Sequence, residues 1–232
     1  MYIRIFIISL LIIGGQAATA QIHELGVFVG GSNPISDVGR TYYVYPNKLA
    51  LGALYKWNFH ERMSLRAQVT KTTLAANDID SDIAGKRNRQ FHFTNELTEL
   101  AVGAEYNFFE YSMHNRLDRP YTPYLFTGIS YFWYDDLYFD RNVAARPLGA
   151  TATLRRNKSF AIPLVLGVKA KVSMRLVAAF EVGTRFTFIN NLDGSLPDDL
   201  SFTFGNKTSN DWYTFTGFTL TYTFGEKPCY CN

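Results

Sequence analysis

From Ile22 to Phe224 apolar and polar residues alternate with a period of two, the pattern of strands that turn one face to an apolar medium and the other away from it. Eight such runs can be read. The first is weak, with Leu25, Val27 and Val29 against Glu24, Gly26 and Gly30. The second sets Leu49, Leu51, Ala53, Tyr55, Trp57 and Phe59 against Gly52, Lys56 and Asn58. The third sets Met63, Leu65, Ala67 and Val69 against Ser64, Arg66, Gln68 and Thr70. The fourth sets Leu100, Val102, Ala104, Tyr106 and Phe108 against Glu99, Gly103, Glu105 and Asn107. In the fifth, Leu125, Ile129, Tyr131 and Trp133 face away from Tyr124, Phe126, Gly128 and Phe132; both faces are apolar and the phase is open. The sixth sets Ile162, Leu164, Leu166 and Val168 against Gly167, Lys169 and Lys171. The seventh sets Leu176, Ala178, Phe180, Val182, Phe186 and Phe188 against Glu181, Gly183, Arg185 and Thr187. The eighth sets Trp212, Thr214, Thr216, Phe218, Leu220, Tyr222 and Phe224 against Tyr213, Gly217, Thr219 and Thr221.

The links between runs alternate in length. Short ones lie around His60, across Glu110–Pro120 and around Ser173; long polar ones span Ser32–Asn47, Ala76–Gln90, Asp135–Ser159 and Asn190–Asp211. All long links then fall at one end and all short ones at the other, as in outer-membrane barrels with short periplasmic turns and longer outer loops. The fold expected is all-β: an eight-stranded antiparallel up-and-down transmembrane β-barrel. A lipocalin-like soluble barrel alternates too, with its apolar face inward. Three features favour the membrane reading. Aromatic residues of the apolar face collect at both strand ends (Tyr55, Trp57, Tyr106, Phe108, Tyr222 and Phe224 at one, Tyr131, Trp133, Phe188 and Trp212 at the other), as interfacial girdles do. Seven of the eight runs carry a glycine on the opposite face, which suits a lumen barely wide enough for side chains. That face also carries Glu24, Lys56, Arg66, Glu99, Glu105, Lys169, Lys171, Glu181 and Arg185, expected to pair into a network that plugs the lumen, with Arg66 near Glu99 or Glu105.

The first residues fit export. Arg4 precedes an apolar run from Ile5 to Ile13, followed by Ala17-Ala18-Thr19-Ala20, which reads as a secretory signal peptide over residues 1–20 cleaved between Ala20 and Gln21. The barrel is assigned to residues 21–225 and a short periplasmic tail to 226–232. Loss of Arg4 takes the net charge from +3 to +2, and no basic stripe points to nucleic acid. Phe (19), Tyr (15) and Gly (17) are abundant although no later stretch is long enough for a membrane helix, and a closed barrel is the other fold that satisfies every backbone amide in lipid.

The order of several segments resembles the PorG-like outer-membrane proteins of the Bacteroidota type IX secretion and gliding machinery. The segments are Gln21-Ile22-His23-Glu24-Leu25-Gly26, Leu51 to Phe59, Glu96 to Leu100, Glu105 to Tyr111, Thr122-Pro123-Tyr124, Ile162 to Lys169, Phe180 to Arg185 and Asp211 to Gly217. Membership implies a barrel that contacts outer-membrane lipid and holds the periplasmic ring lipoprotein and its partner subunits. Glu110, His114, Arg116, Asp118, Arg119, Glu226 and Lys227 are the candidate docking surface. Family members often carry an acidic segment where this chain has Asn190-Asn191-Leu192-Asp193-Gly194.

Catalytic chemistry has little footing. Of the four histidines, His23, His60 and His114 fall at the periplasmic end, leaving His92 outside with Asp135 and Asp136, and no nucleophile–base–orienter set is visible. No catalytic, cofactor or metal residue is expected. Asp78, Asp80 and Asp82 lack the glycine and bidentate acid of a calcium loop, and with Lys86, Arg87 and Arg89 they read as a solvated surface loop. Cys229 and Cys231 read as tail residues. Two alternatives stay open: a surface adhesin or ligand binder acting through the outer loops, and a lipid enzyme at the rim using His92 and Asp135.

Overall fold

The computed structural model describes residues 22–111, 120–140, 148–196, 203–206 and 208–225. The signal peptide, the tail with Cys229 and Cys231, and His114, Arg116, Asp118, Arg119, Glu226 and Lys227 lie outside the described residues.

Among the described residues there are eight long strands and one short one: β1 (Ile22–Ile35), β2 (Lys48–His60), β3 (Met63–Asn77), β4 (Phe91–Asn107), β5 (Tyr121–Tyr138), β6 (Leu148–Gly149), β7 (Thr151–Lys171), β8 (Leu176–Thr187) and β9 (Trp212–Phe224). The long strands pair antiparallel in chain order, and β1–β9 and β3–β4 pairing leaves no free edge. Two-residue β6 runs parallel to the start of β4, beside Phe91 and His92. The protein is a closed eight-stranded antiparallel β-barrel.

The faces follow the alternation. Leu25, Val27, Val69, Val102, Leu166 and Phe218 point outward, and Ile129 is 63% exposed, so the fifth run turns Tyr124, Phe126 and Phe132 into the lumen. An outward surface of this kind is stable only against hydrocarbon. The weak first run is a full strand despite Gly26, Gly30 and Gly31, because β2 and β9 pair with it on both sides.

Strands run further at the long-loop end than the alternation indicates. The Asp135–Ser159 link is largely a hairpin: β5 continues to Tyr138, β7 starts at Thr151, and Trp133, Tyr134 and Asp135 pair with Lys158, Asn157 and Arg156. About 9–11 tilted residues span a bilayer, and β5 and β7 have 18 and 21. Beyond the membrane neither face needs to be apolar, so the ladder persists while the two-residue pattern disappears. For the same reason β3 reaches Asn77 and β4 begins at Phe91.

The glycines of the lumen face are close-approach sites. Gly103 pairs with Gly128 across β4–β5, and Gly30 with Gly217 across β1–β9. A Cβ on Gly103 would lie 2.1 Å from the Thr127 carbonyl oxygen. In the closed order these two seams are halfway round the barrel from each other. Other glycines sit opposite long side chains, Gly103 facing Arg66 and Gly167 facing Glu181 and Tyr124.

Gly103→Ala should therefore destabilise the barrel by about 1–3 kcal/mol in reversible urea unfolding from lipid vesicles. Gly85→Ala, in the short helix α1 (Ala84–Arg89) with nothing within 4 Å of an added Cβ, should be neutral or stabilise by up to about 1 kcal/mol. Equal effects at the two positions would contradict this account.

Candidate functional site in the lumen and outer cap

The lumen holds four carboxylates and four cations that are almost wholly buried among the described residues: Glu24, Glu99, Glu105 and Glu181 with Lys56, Arg66, Lys169 and Arg185. Lys56 and Arg66 are direct cross-strand partners on β2 and β3, a like-charge pairing that needs anions close by. Glu105 supplies one, with Lys56 Nζ at 2.8 Å and Lys169 Nζ at 2.7 Å, and Arg66 Nη1 at 3.5 Å. The stronger partner of Arg66 is Glu181 on β8, to which both terminal nitrogens donate at 2.8 Å across the lumen. Arg66 thus reaches Glu105 on the adjacent strand but takes its two-pronged pairing from the far wall. Parity within one strand pair cannot show a partner on the opposite side.

Hydroxyls complete the acids. Tyr124 Oη donates to Glu181 at 2.5 Å, and Tyr213 Oη to Glu99 at 2.6 Å beside Arg185 Nε at 3.2 Å. Glu24 accepts from Asn58 at 2.8 Å and from Thr221 at 2.7 Å. Aromatic faces lie under the cations: Arg185 is 4.3 Å from the Phe215 ring centroid and Arg66 5.0 Å from Phe126. Tyr124 and Tyr213 are functional residues the charge pattern misses; their lumen-side parity is the signal that could have found them. Lys171, expected in the same network, is half-buried at the short-turn rim, with its ammonium 5.2 Å from the Tyr111 ring. β7 is ending there, so its last lumen-facing side chain meets solvent.

Towards the long-loop end the lumen filling becomes apolar. Phe28, Leu54, Phe132, Tyr213 and Phe215 join Phe93, Leu97, Leu137, Phe139 and Leu192 in one buried cluster that continues into the outer loops. Phe91, Phe139 and Phe204 stack within 4.8–5.2 Å of each other, and the Arg89 guanidinium covers Phe204 at 4.5 Å.

Buried carboxylates tie these loops together. Asp78, fully buried, pairs with Arg89 Nε at 2.7 Å and accepts the N–H groups of Gly39 at 2.8 Å and Phe91 at 3.1 Å. The loop read as a solvated mixture of charges is instead folded around Asp78, because donors from the first outer loop and from the segment entering β4 converge on it. Asp193 accepts from the N–H groups of Val38 (3.1 Å) and Ser195 (2.8 Å), and Asp211 accepts from Leu192 N–H at 2.9 Å. Burial raises the carboxyl pKa of Asp193, and that of Asp211 well above the usual range, where the neighbouring Asp193 charge adds to the effect. Asp135 and Asp136 lie within β5, Asp135 paired with Arg156 at 3.3 Å and Asp136 accepting from Asn191 at 3.1 Å. The side chain of His92 lies against Gly149.

An apolar outer belt, a closed hydrogen-bonded ladder and a lumen filled with paired charges define a transmembrane barrel of the outer-membrane type. The chain belongs to the family described as a domain of unknown function (DUF6089), whose model matches residues 3–232. No curated protein matches the sequence. Similar solved structures include Neisserial surface protein A, at 9% identity and a TM-score of 0.49 over 88% of this chain and 97% of that one. The attachment invasion locus protein Ail of Yersinia pestis is similar at 8% identity and a TM-score of 0.47, over 89% of this chain and 100% of that one. OprG from Pseudomonas aeruginosa is similar at 11% identity and a TM-score of 0.45, over 90% and 98%.

Glu181→Leu leaves Arg66 without its two-pronged partner and should cost about 3–5 kcal/mol in urea unfolding from vesicles. Glu110→Ala breaks the exposed pair with Arg62 (64% and 40% exposed) and should cost less than about 1 kcal/mol.

The raised acids mean that the folded cap retains protons the unfolded chain has released above the ordinary carboxylate range. Cap stability is then greatest at low pH and falls as pH rises through the raised values. Protection factors of the Val38 and Leu192 amides should be larger at pH 5 than at pH 8, and Asp211→Asn should shrink the difference. Protection independent of pH in the parent protein would refute the assignment.

Proposed function

We propose that this barrel is a non-enzymatic outer-membrane component of the type IX secretion and gliding machinery, anchoring the periplasmic ring subunits to the membrane. The observation that supports the reading is the filled lumen: among the described residues, buried charges lie beneath an apolar cluster that continues into the outer loops, an arrangement that favours a plug over a conduit for cargo. A barrel that does not conduct works through its rims or as a fixed point. The PorG-like segments along the chain favour the periplasmic rim. Among the described residues of that rim, Glu110 and Arg62 form an exposed ion pair, and Val172 and Met174 are exposed apolar side chains in the β7–β8 turn. These described side chains are the part of the rim we propose meets the ring lipoprotein and its partners; the other candidates, His114, Arg116, Asp118, Arg119, Glu226 and Lys227, lie outside the described residues.

A second reading, a ligand binder acting outward, is favoured by the exposed run Tyr42-Tyr43-Val44-Tyr45 in the first outer loop.

Deletion of the gene should abolish secretion of type IX cargo, and a photo-crosslinker at position 110 should capture a periplasmic ring lipoprotein. Normal secretion together with crosslinks to no ring subunit would end the first reading.

A further inference from the structure

A cavity of about 390 Å³ opens on the outer rim, between the first outer loop, helix α1 and the segment leading into β9. It is separate from the lumen charges and from the Phe91, Phe139 and Phe204 stack. Its size is that of a small-molecule site. Asp37, Lys86, Asn206 and Asn210 line it together with the rings of Tyr43 and Trp212.

Each of these groups is placed by the fold. Within the exposed aromatic run, the Arg40 guanidinium lies over Tyr42 at 5.8 Å and Tyr45 at 4.7 Å. Tyr43, 61% exposed, instead stands beside Trp212 with ring centroids 6.5 Å apart. Trp212 is itself braced edge-on by Phe186 at 4.7 Å, within the outer aromatic belt. Lys86 Nζ donates to the carbonyls of Ser36 (3.3 Å) and Gly39 (3.0 Å), which leaves one of its three donors. Asp37 is held by the Asn206 N–H at 3.0 Å and keeps acceptor capacity.

The cavity is therefore lined by two aromatic rings, one cation, two acidic residues (Asp37 and the buried Asp211) and two amides. A phosphate or other small anion would meet the Asp37 carboxylate, and an aliphatic ligand would strand the polar groups unpaired. A ring with C–H faces and a periphery of hydroxyls satisfies both sets. We propose that this rim cavity binds a saccharide ring, presented by the head group of an outer-leaflet glycolipid or by a free oligosaccharide. The position of Trp212 at the level of the outer interface puts such a head group within reach. The site is independent of any periplasmic partner.

The test uses the full mature barrel in two settings: detergent micelles titrated with the delipidated core oligosaccharide of lipopolysaccharide, and nanodiscs with or without intact lipopolysaccharide. Saturation-transfer NMR reads the first, and exchange protection of the 36–47 loop reads the second. Binding of the free oligosaccharide identifies the ring itself as sufficient; a response confined to lipopolysaccharide nanodiscs identifies the glycolipid as the source. In either case Tyr43→Ala should weaken binding by about tenfold or more, and Lys86→Met should weaken it measurably. Trp57→Phe, in the opposite belt, should change nothing. Because Tyr43 is exposed, its variant should keep the folded migration on unheated gels, which separates a lost contact from a lost fold. No response in either setting, a response indifferent to Tyr43→Ala, or one that inorganic phosphate alone competes away would overturn the proposal.

Discussion

The pairing of buried charge across the lumen is the constraint on which the rest of the barrel depends. Lys56 and Arg66 stand side by side on neighbouring strands in a space without bulk water, where an unpaired ion costs several kcal/mol. Glu105 and Glu181 make that arrangement tolerable, and they do so from two other strands. The register of the barrel is thereby specified from within. A slip of one residue on any of these strands would turn its charge into the lipid and leave a partner stranded. The glycines facing Arg66 and Glu181, and the phenols of Tyr124 and Tyr213, belong to the same solution: they supply room and further hydrogen bonds to Glu181 and Glu99.

The long-loop half is solved differently. There the lumen is filled by phenylalanine and leucine side chains, and the cluster continues beyond the membrane into the loops. Burying such a side chain contributes about 1.5–3 kcal/mol, enough to order loops whose polar sequence alone would not. Carboxylates that accept backbone N–H groups then fix the loops to one another, as Asp78 joins the first loop to the start of β4. The described parts of the outer loops are thereby tied to the barrel and to one another, and Tyr43 stands beside Trp212 at that end.

Much of the membrane-embedded barrel was legible in the sequence, because hydrocarbon enforces the two-residue period residue by residue. Leu25, Val27 and Val29 announce the lipid face of even the glycine-weakened first strand, and Glu105, Lys169 and Arg185 announce the lumen. Outside the bilayer that enforcement stops, so the paired extension of β5 and β7 looked like loop. The pairing of Arg66 with Glu181 joins residues 115 positions apart, and no local pattern carries it. Asp193 reaches Val38 over 155 positions, so nothing near either residue marks that acid as buried. Tyr43, Lys86 and Trp212 likewise come together from three distant segments.

The two glycine pairs, Gly103 with Gly128 and Gly30 with Gly217, bear on how the two halves of the barrel are joined. A glycine on each strand lets the two backbones lie close, and the two pairs fall on seams half the strand order apart. These seams divide the strand order into β1 to β4 on one side and β5, β7, β8 and β9 on the other. Arg66–Glu181, Lys169–Glu105, Arg185–Glu99 and Tyr213–Glu99 each join a strand of the first set to a strand of the second. The two halves are thus joined twice, by backbone hydrogen bonds along the seams and by ionic and phenolic ties through the lumen.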